Sequence, residues 1–213
     1  MTLALVNPNT DSDVTETMCR IAESEGLGQV TGLTARFGSR LIIDERSLAE
    51  AAQAVLALAP DLVGYRGVIV AAFGDPGLTA LRQRLSVPVT GIAEAAMLAA
   101  NRDGRRFAVA TTTPDLRASI GAVAVRGGHA NFAGVWITPG NPVSLTRDLK
   151  GLATALLAAC EAAISEGGAE AVIIGGGPLA QVAQELQGQL SVPLIEPIPE
   201  AVRLAHHRTE EAQ

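Results

Sequence analysis

Aromatic side chains make up only 3% of this 213-residue sequence: four Phe, one Tyr and one Trp. Its core must therefore be built from Ala, Val, Leu and Ile, which suits parallel strands under Ala-rich helices better than a β-sandwich. Lysine is scarcer still. Lys150 stands alone, the arginines are scattered, and the formal net charge is −6. Without a basic patch, nucleic acid and anionic membrane surfaces are excluded as partners. Cysteine is limited to Cys19 and Cys160, too few for a disulfide framework. No apolar run reaches the length of a membrane span. The opening MTLALVNP lacks both the basic region and the apolar length of a signal peptide. These absences predict a soluble, cytoplasmic protein kept in a reducing compartment.

Histidine is also rare, and its three copies make no constellation. His129 follows Gly127-Gly128 in a loop, and His206-His207 are neighbours on one helix. Adjacent helical residues point about 100° apart and do not chelate as i, i+4 pairs do, so no metal site is expected. Gly175-Gly176-Gly177-Pro178-Leu179 has neither the lysine of a phosphate-binding loop nor dinucleotide spacing. No cofactor is expected.

What is present is an alternation of strands and helices. Leu3–Val6 reads as a buried strand, followed by a helix over Ser12–Ser24 with Thr10 or Asp11 as its cap. Val30–Thr34 is a second strand, and Ser47 caps a helix running to Ala59. The all-apolar Gly67–Ala71 has the composition of a strand buried on both faces. A short strand at Val87–Val89 leads into a helix over Ala93–Ala100, and the pattern restarts at Arg106.

That restart is a duplication. Leu3–Asp11 (LALVNPNTD) matches Phe107–Asp115 (FAVATTTPD), and Val68-Ile69-Val70 matches Val172-Ile173-Ile174, both about 104 residues apart. Ser86-Val87-Pro88 recurs at Ser191-Val192-Pro193, and Glu94-Ala95 at Glu200-Ala201. Four landmarks in order with one slowly drifting offset predict an α/β fold of two pseudo-symmetric, doubly wound lobes. Each would carry a roughly four-stranded parallel sheet, residues 1–104 in one and 105–213 in the other, with 200–213 able to pack back on the first. In such sheets ligands sit beyond the carboxyl ends of the strands. The loops there are NPNTD, AAFGDPG, TTTPD and GGGPL, rich in small residues that let a ligand approach backbone N–H groups. The cleft between the lobes is the predicted site.

The polar groups near it divide between structural and chemical roles. Asp75, before Pro76, reads as the cap of the next helix or as an acid/base; Glu196 lies at a strand end; Glu94 and Glu200 start symmetry-related helices. Asn9, Thr10, Thr112 and Thr113 can both cap helices and donate to a ligand. Arg40, Asp44 and Arg46 read as simple surface charge, or as a charged rim or lid.

At these residues the sequence resembles the Asp/Glu/hydantoin racemase superfamily, and its hydantoin and allantoin racemases in particular. Asn7-Pro8-Asn9-Thr10 is similar to that group's amino-terminal signature. Phe73–Leu78 (FGDPGL) and Gly91–Met97 (GIAEAAM) resemble the segments after its first catalytic cysteine, and Thr111-Thr112-Thr113 its third loop. The resemblance spans the whole chain. It implies a homo-oligomeric isomerase that needs neither cofactor nor metal and moves a Cα proton between two cysteines. It also implies a binding cleft formed by Asn7, Asn9, Thr10, Ala72, Phe73, Gly74, Thr112, Thr113, Gly176, Gly177 and Pro178. The first cysteine position falls on Ala72 and the second on Gly176, again 104 residues apart. Cys19 and Cys160 read as small core residues, not as replacements. The best acid/base candidates without cysteine are then Asp75, Glu196 and Thr112. Three functions follow: an isomerase acting on a small hydantoin-like, imide or carboxylate compound; a related lyase or decarboxylase; or a non-catalytic small-molecule-binding homologue. Decarboxylating members keep one thiol, which this chain lacks at both positions.

Overall fold

The computed structural model describes residues 2–212. The first sheet contains β1 (Thr2–Asn7), β2 (Gln29–Thr34), β3 (Gly67–Val70) and β4 (Val89–Gly91), in the order β2-β1-β3-β4. The second contains β5 (Phe107–Thr111), β6 (Phe132–Ile137), β7 (Ala171–Ile174) and β8 (Leu194–Ile195), in the order β6-β5-β7-β8. Every pairing is parallel. Even the register repeats: Leu3 faces Gly67, and Phe107 faces Ala171. The duplicated sequence is thus a duplicated sheet. Its central strands are LALV, GVIV, FAVA and AVII, apolar at successive positions because both faces are covered.

The helices are α1 (Ser12–Glu23), α2 (Glu45–Ala57), α3 (Leu78–Arg84), α4 (Ile92–Ala100), α5 (Arg117–Arg126), α6 (Pro142–Leu145), α7 (Leu149–Ser165), α8 (Ala180–Glu185) and α9 (Pro197–Glu211). Asp11, not Thr10, caps α1 by accepting from Asp13 N–H. The predicted start of α2 is corrected. Asp44 is its cap and Ser47 the third residue inside: the Asp44 carboxylate accepts from Ser47 N–H at 2.7 Å, and Ser47 Oγ accepts from Asp44 N–H at 3.1 Å. This reciprocal box satisfies two otherwise orphaned donors, which Ser47 as a lone cap would not do.

The last helix of each half crosses over. α4 packs on β7, β8 and α5 of the second half, whereas α9 packs on β3, β4 and α1 of the first. Gly67 permits the α9 contact: a β-carbon there would lie 2.8 Å from Thr209 Cγ2 and 2.9 Å from Leu3 Cδ2. The central core consequently belongs to both sheets, joining Leu3, Leu5, Met18 and Ile69 to Met97, Phe107, Ile173 and Val202. Separate outer cores cover the other face of each sheet, one around Leu62, Val68 and Leu81, the other around Leu152, Leu156 and Cys160.

Candidate functional site

All four strand-end loops meet at one cavity of about 50 Å³, room for a few waters or for the polar part of a small ligand. Asn9 comes from the loop after β1, Ala71–Phe73 from that after β3, Thr111–Thr113 from the end of β5, and Gly175–Leu179 from that after β7. Leu41 and Ile42 close it from the loop after β2, and Thr146 from the C-terminal cap of α6.

The first loop is held by asparagines. Asn7 is fully buried, and its Nδ2 lies within donating distance of Asn9 Oδ1 (2.8 Å), Thr15 Oγ1 (2.9 Å) and the Asp11 carbonyl (3.0 Å). Asn7 Oδ1 accepts from Asn9 N–H, and Asn9 Oδ1 from Asp11 N–H. With Oδ1 engaged twice, Asn9 has only its Nδ2 donor left for the cavity. Thr10 is tied outward, its N–H donating to Ser39 of the loop after β2. Across the cleft, Thr111 Oγ1 donates to the Gly175 carbonyl at 2.8 Å and lies 3.3 Å from Thr113 Oγ1. That bond ties the third loop to the fourth. Thr112, only 3% exposed, makes no side-chain hydrogen bond within the described residues, which leaves its hydroxyl for a ligand.

The two positions of interest line this cavity and differ in backbone. Ala72 already carries a β-carbon, and its surroundings accept one. Gly176 has φ +152°, and a β-carbon there would lie 3.2–3.3 Å from Leu179. The conformation and the crowding both favour glycine. Gly177 and Pro178 also line the cavity, with Pro178 in a short 3₁₀ turn that opens α8.

Several predicted residues lie elsewhere. Asp75 does not cap the next helix; Gly77 holds that position in α3. Its carboxylate instead receives Ala93 N–H at 2.9 Å and Glu94 N–H at 2.8 Å, capping α4 eighteen residues on. It adopts φ +52°, a conformation Asp tolerates. Burial pushes its carboxyl up to about 7, with the two N–H donors pulling the other way. Asp75 lies outside the cavity wall. So does Glu196, whose Oε1 accepts from Gln187 at 2.7 Å while its buried Oε2 has no partner; burial raises its carboxyl above the ordinary range. Asn7 and Gly74 stand behind the lining, Gly74 against Leu48. Glu94 is drawn into a charge cluster with Arg82 (2.7 Å) and Arg208 (2.9 Å), and Glu200 pairs with Arg203. Arg40 reaches Asp11 at 2.8 Å, forming a rim, while Asp44 is absorbed in its cap.

Neither thiol approaches the cavity. Cys19 packs near Gly32 of β2, and Cys160 is buried beneath the second sheet. Burial pushes them up to about 11 and about 12 respectively. His129 stacks edge-on against Phe107. Among the described residues no group of three His, Cys, Asp or Glu side chains could hold a metal.

The profile of the Asp/Glu/Hydantoin racemase family matches residues 3–205. The chain belongs to that family. It is similar to the hydantoin racemase of Paenarthrobacter aurescens, 29% identical over 138 residues that make up 64% of this chain and 58% of that protein. The chain thus matches less than two thirds of that relative's length. Among solved structures, the allantoin racemase from Pseudomonas fluorescens superposes with a TM-score of 0.93 at 27% identity, covering 99% of this chain and 92% of that one. The allantoin racemase from Klebsiella pneumoniae gives 0.87 at 32% identity, covering 97% and 86%. Within this family fold, the lining holds amides, hydroxyls, backbone and apolar groups, and no ionisable side chain among the described residues.

Sequence reasoning did not single out Leu41, Ile42, Leu116, Ile120 or Thr146, which complete the wall. Loops carry no hydrophobic period. The one available signal was the duplication itself, since Ile42 and Thr146 stand 104 residues apart.

Proposed function

We infer that the chain is a racemase-type isomerase acting in this cleft on a small hydantoin-like, imide or carboxylate compound, without cofactor, metal or thiol. The observation that carries it is the convergence of Asn9, the Thr112 hydroxyl and the Gly176–Gly177 backbone N–H groups on one cavity, the Gly175 N–H being spent on the Ala110 carbonyl. Such donors stabilise an oxyanion as a Cα–H is lost and the negative charge moves onto the adjacent carbonyl oxygen. Hydroxide from solvent removes the proton, becoming water, and water returns a proton to either face, regenerating hydroxide; this suffices only where the Cα–H is already acidic, as between the carbonyl and the ureido nitrogen of a hydantoin ring. Proton NMR in D2O tests this. Loss of the Cα–H signal from a 5-substituted hydantoin or allantoin, above the rate in buffer, is the expected result. Thr112→Val should slow it by on the order of 10². Binding without exchange would sink the reaction.

A second reading, a ligand-binding homologue without turnover, rests on the lack of an ionisable side chain among the described residues of the lining. The same spectra separate the two, because a bound ligand broadens without exchanging.

A further inference from the structure

Above the cavity the cleft widens into an open mouth of about 560 Å³ that shares Leu41, Thr146 and Pro178 with the cavity below. Two arginines line it, one from each half: Arg40 from the loop after β2 and Arg147 from the loop before α7. Arg40 spends only its Nε, on Asp11 Oδ2. Both Asp11 oxygens are engaged, since its Oδ1 caps α1. The terminal nitrogens of Arg40 make no further bond, and the Arg147 side chain has no ion pair or hydrogen bond with any described residue. The lining of the mouth carries two guanidinium groups and one carboxylate, with Asp13 also acting on Arg40 from beyond the lining. Both arginines are exposed, and exposed arginines on a surface are commonly just solvated. Here they converge from the two halves onto a space continuous with the candidate site.

We propose that the mouth is a second subsite taking a carboxylate-bearing substituent of the ring compound whose core occupies the cavity. The substrate class is then a small cyclic imide with an anionic side arm, the arm lying between Arg40 and Arg147. Guanidinium offers paired N–H donors that match the two oxygens of a carboxylate. The inference rests on the small-molecule cleft advanced above, whether or not the ligand turns over.

Isothermal titration of the whole chain with 5-carboxymethylhydantoin and with its neutral carboxamide tests it. The carboxylate should bind about fivefold more tightly, the scale of a solvent-exposed ion pair. That ratio should shrink at high salt. Arg147→Gln and Arg40→Gln should each narrow it, and Arg147→Lys should keep most of it. Equal affinity for the two ligands overturns the subsite alone, as does a ratio unmoved by the double Gln variant. If neither ligand binds, the subsite and the cleft assignment both fall.

Discussion

At Ala72 and Gly176, both on the cavity wall, adding a thiol has two different costs. Ala72→Cys adds one sulfur to a position that already holds a β-carbon at the cavity wall. Gly176→Cys must put a β-carbon on φ +152° and within 3.3 Å of Leu179. Urea denaturation should therefore show Ala72→Cys within about 1 kcal/mol of the parent and Gly176→Cys destabilised by about 1–3 kcal/mol. Asp75 makes a further prediction. Its carboxyl is pushed up to about 7 by burial, against an ordinary 3.8. Between those values the folded state holds a proton that the unfolded chain has lost, so this group's contribution to stability falls as pH rises towards 7. The stability gap between the parent and Asp75→Asn should widen as pH is lowered from 7 to 4. A gap that narrows would mean that the two α4 donors outweigh burial and keep Asp75 ionised. The same variant tests chemistry: with no ionisable lining residue, exchange should rise with pH without an inflection. An inflection near 7 that Asp75→Asn removes would instead name Asp75 as the base. Residue types at the cleft were legible early because small and hydroxyl residues cluster at strand ends. The partner of Asp75 was not, because a carboxylate followed by Pro76 looks like a local cap, and its true donors lie eighteen residues away.

Among the elements, α4 and α9 are held by charge as well as by apolar contact. Glu94 on α4 meets Arg82 on α3 and Arg208 on α9, and Arg208 also donates to Thr90 Oγ1 at 3.1 Å. Burial works to raise the Glu94 carboxyl, but the hydrogen bonds and charge of Arg208 and Arg82 hold it below its usual range. Removing one partner leaves a half-buried charge with less compensation. Arg208→Ala should cost about 1–3 kcal/mol in urea melts, and a double-mutant cycle with Glu94→Ala should recover part of that loss. The two lobes solve the same helix start differently. Asp75 caps α4, whereas α9 opens on Pro197 with Pro199 two residues on, residues that bring no N–H to be capped. Strand identity was readable from LALV, GVIV, FAVA and AVII, since a strand buried on both faces must be continuously apolar. The crossing of α4 was not, because an Ala-rich helix fits either sheet equally well; for α9 the sequence offered packing of residues 200–213 on the first lobe as an option.

For the whole molecule, the shared core of Leu3, Met97, Phe107 and Val202 joins the two halves into one packing unit. Unfolding followed by tryptophan fluorescence at Trp136 and by far-ultraviolet circular dichroism should give coincident transitions. A fragment of residues 1–104 should remain unfolded, since β3 and β4 would lose α9, and α4 would lose β7 and β8. A stable, cooperative fragment would show the lobes to be independent. By itself the sequence determined the parallel α/β class, the duplication and the loops that line the candidate site, because these follow from periodicity, offset and the small residues at strand ends. Tertiary structure alone decided which sheet each terminal helix covers, where the Asp75 carboxylate finds its donors, and that Arg40 and Arg147 face one mouth. Those outcomes depend on contacts between residues far apart in the chain, whose energies no local pattern encodes.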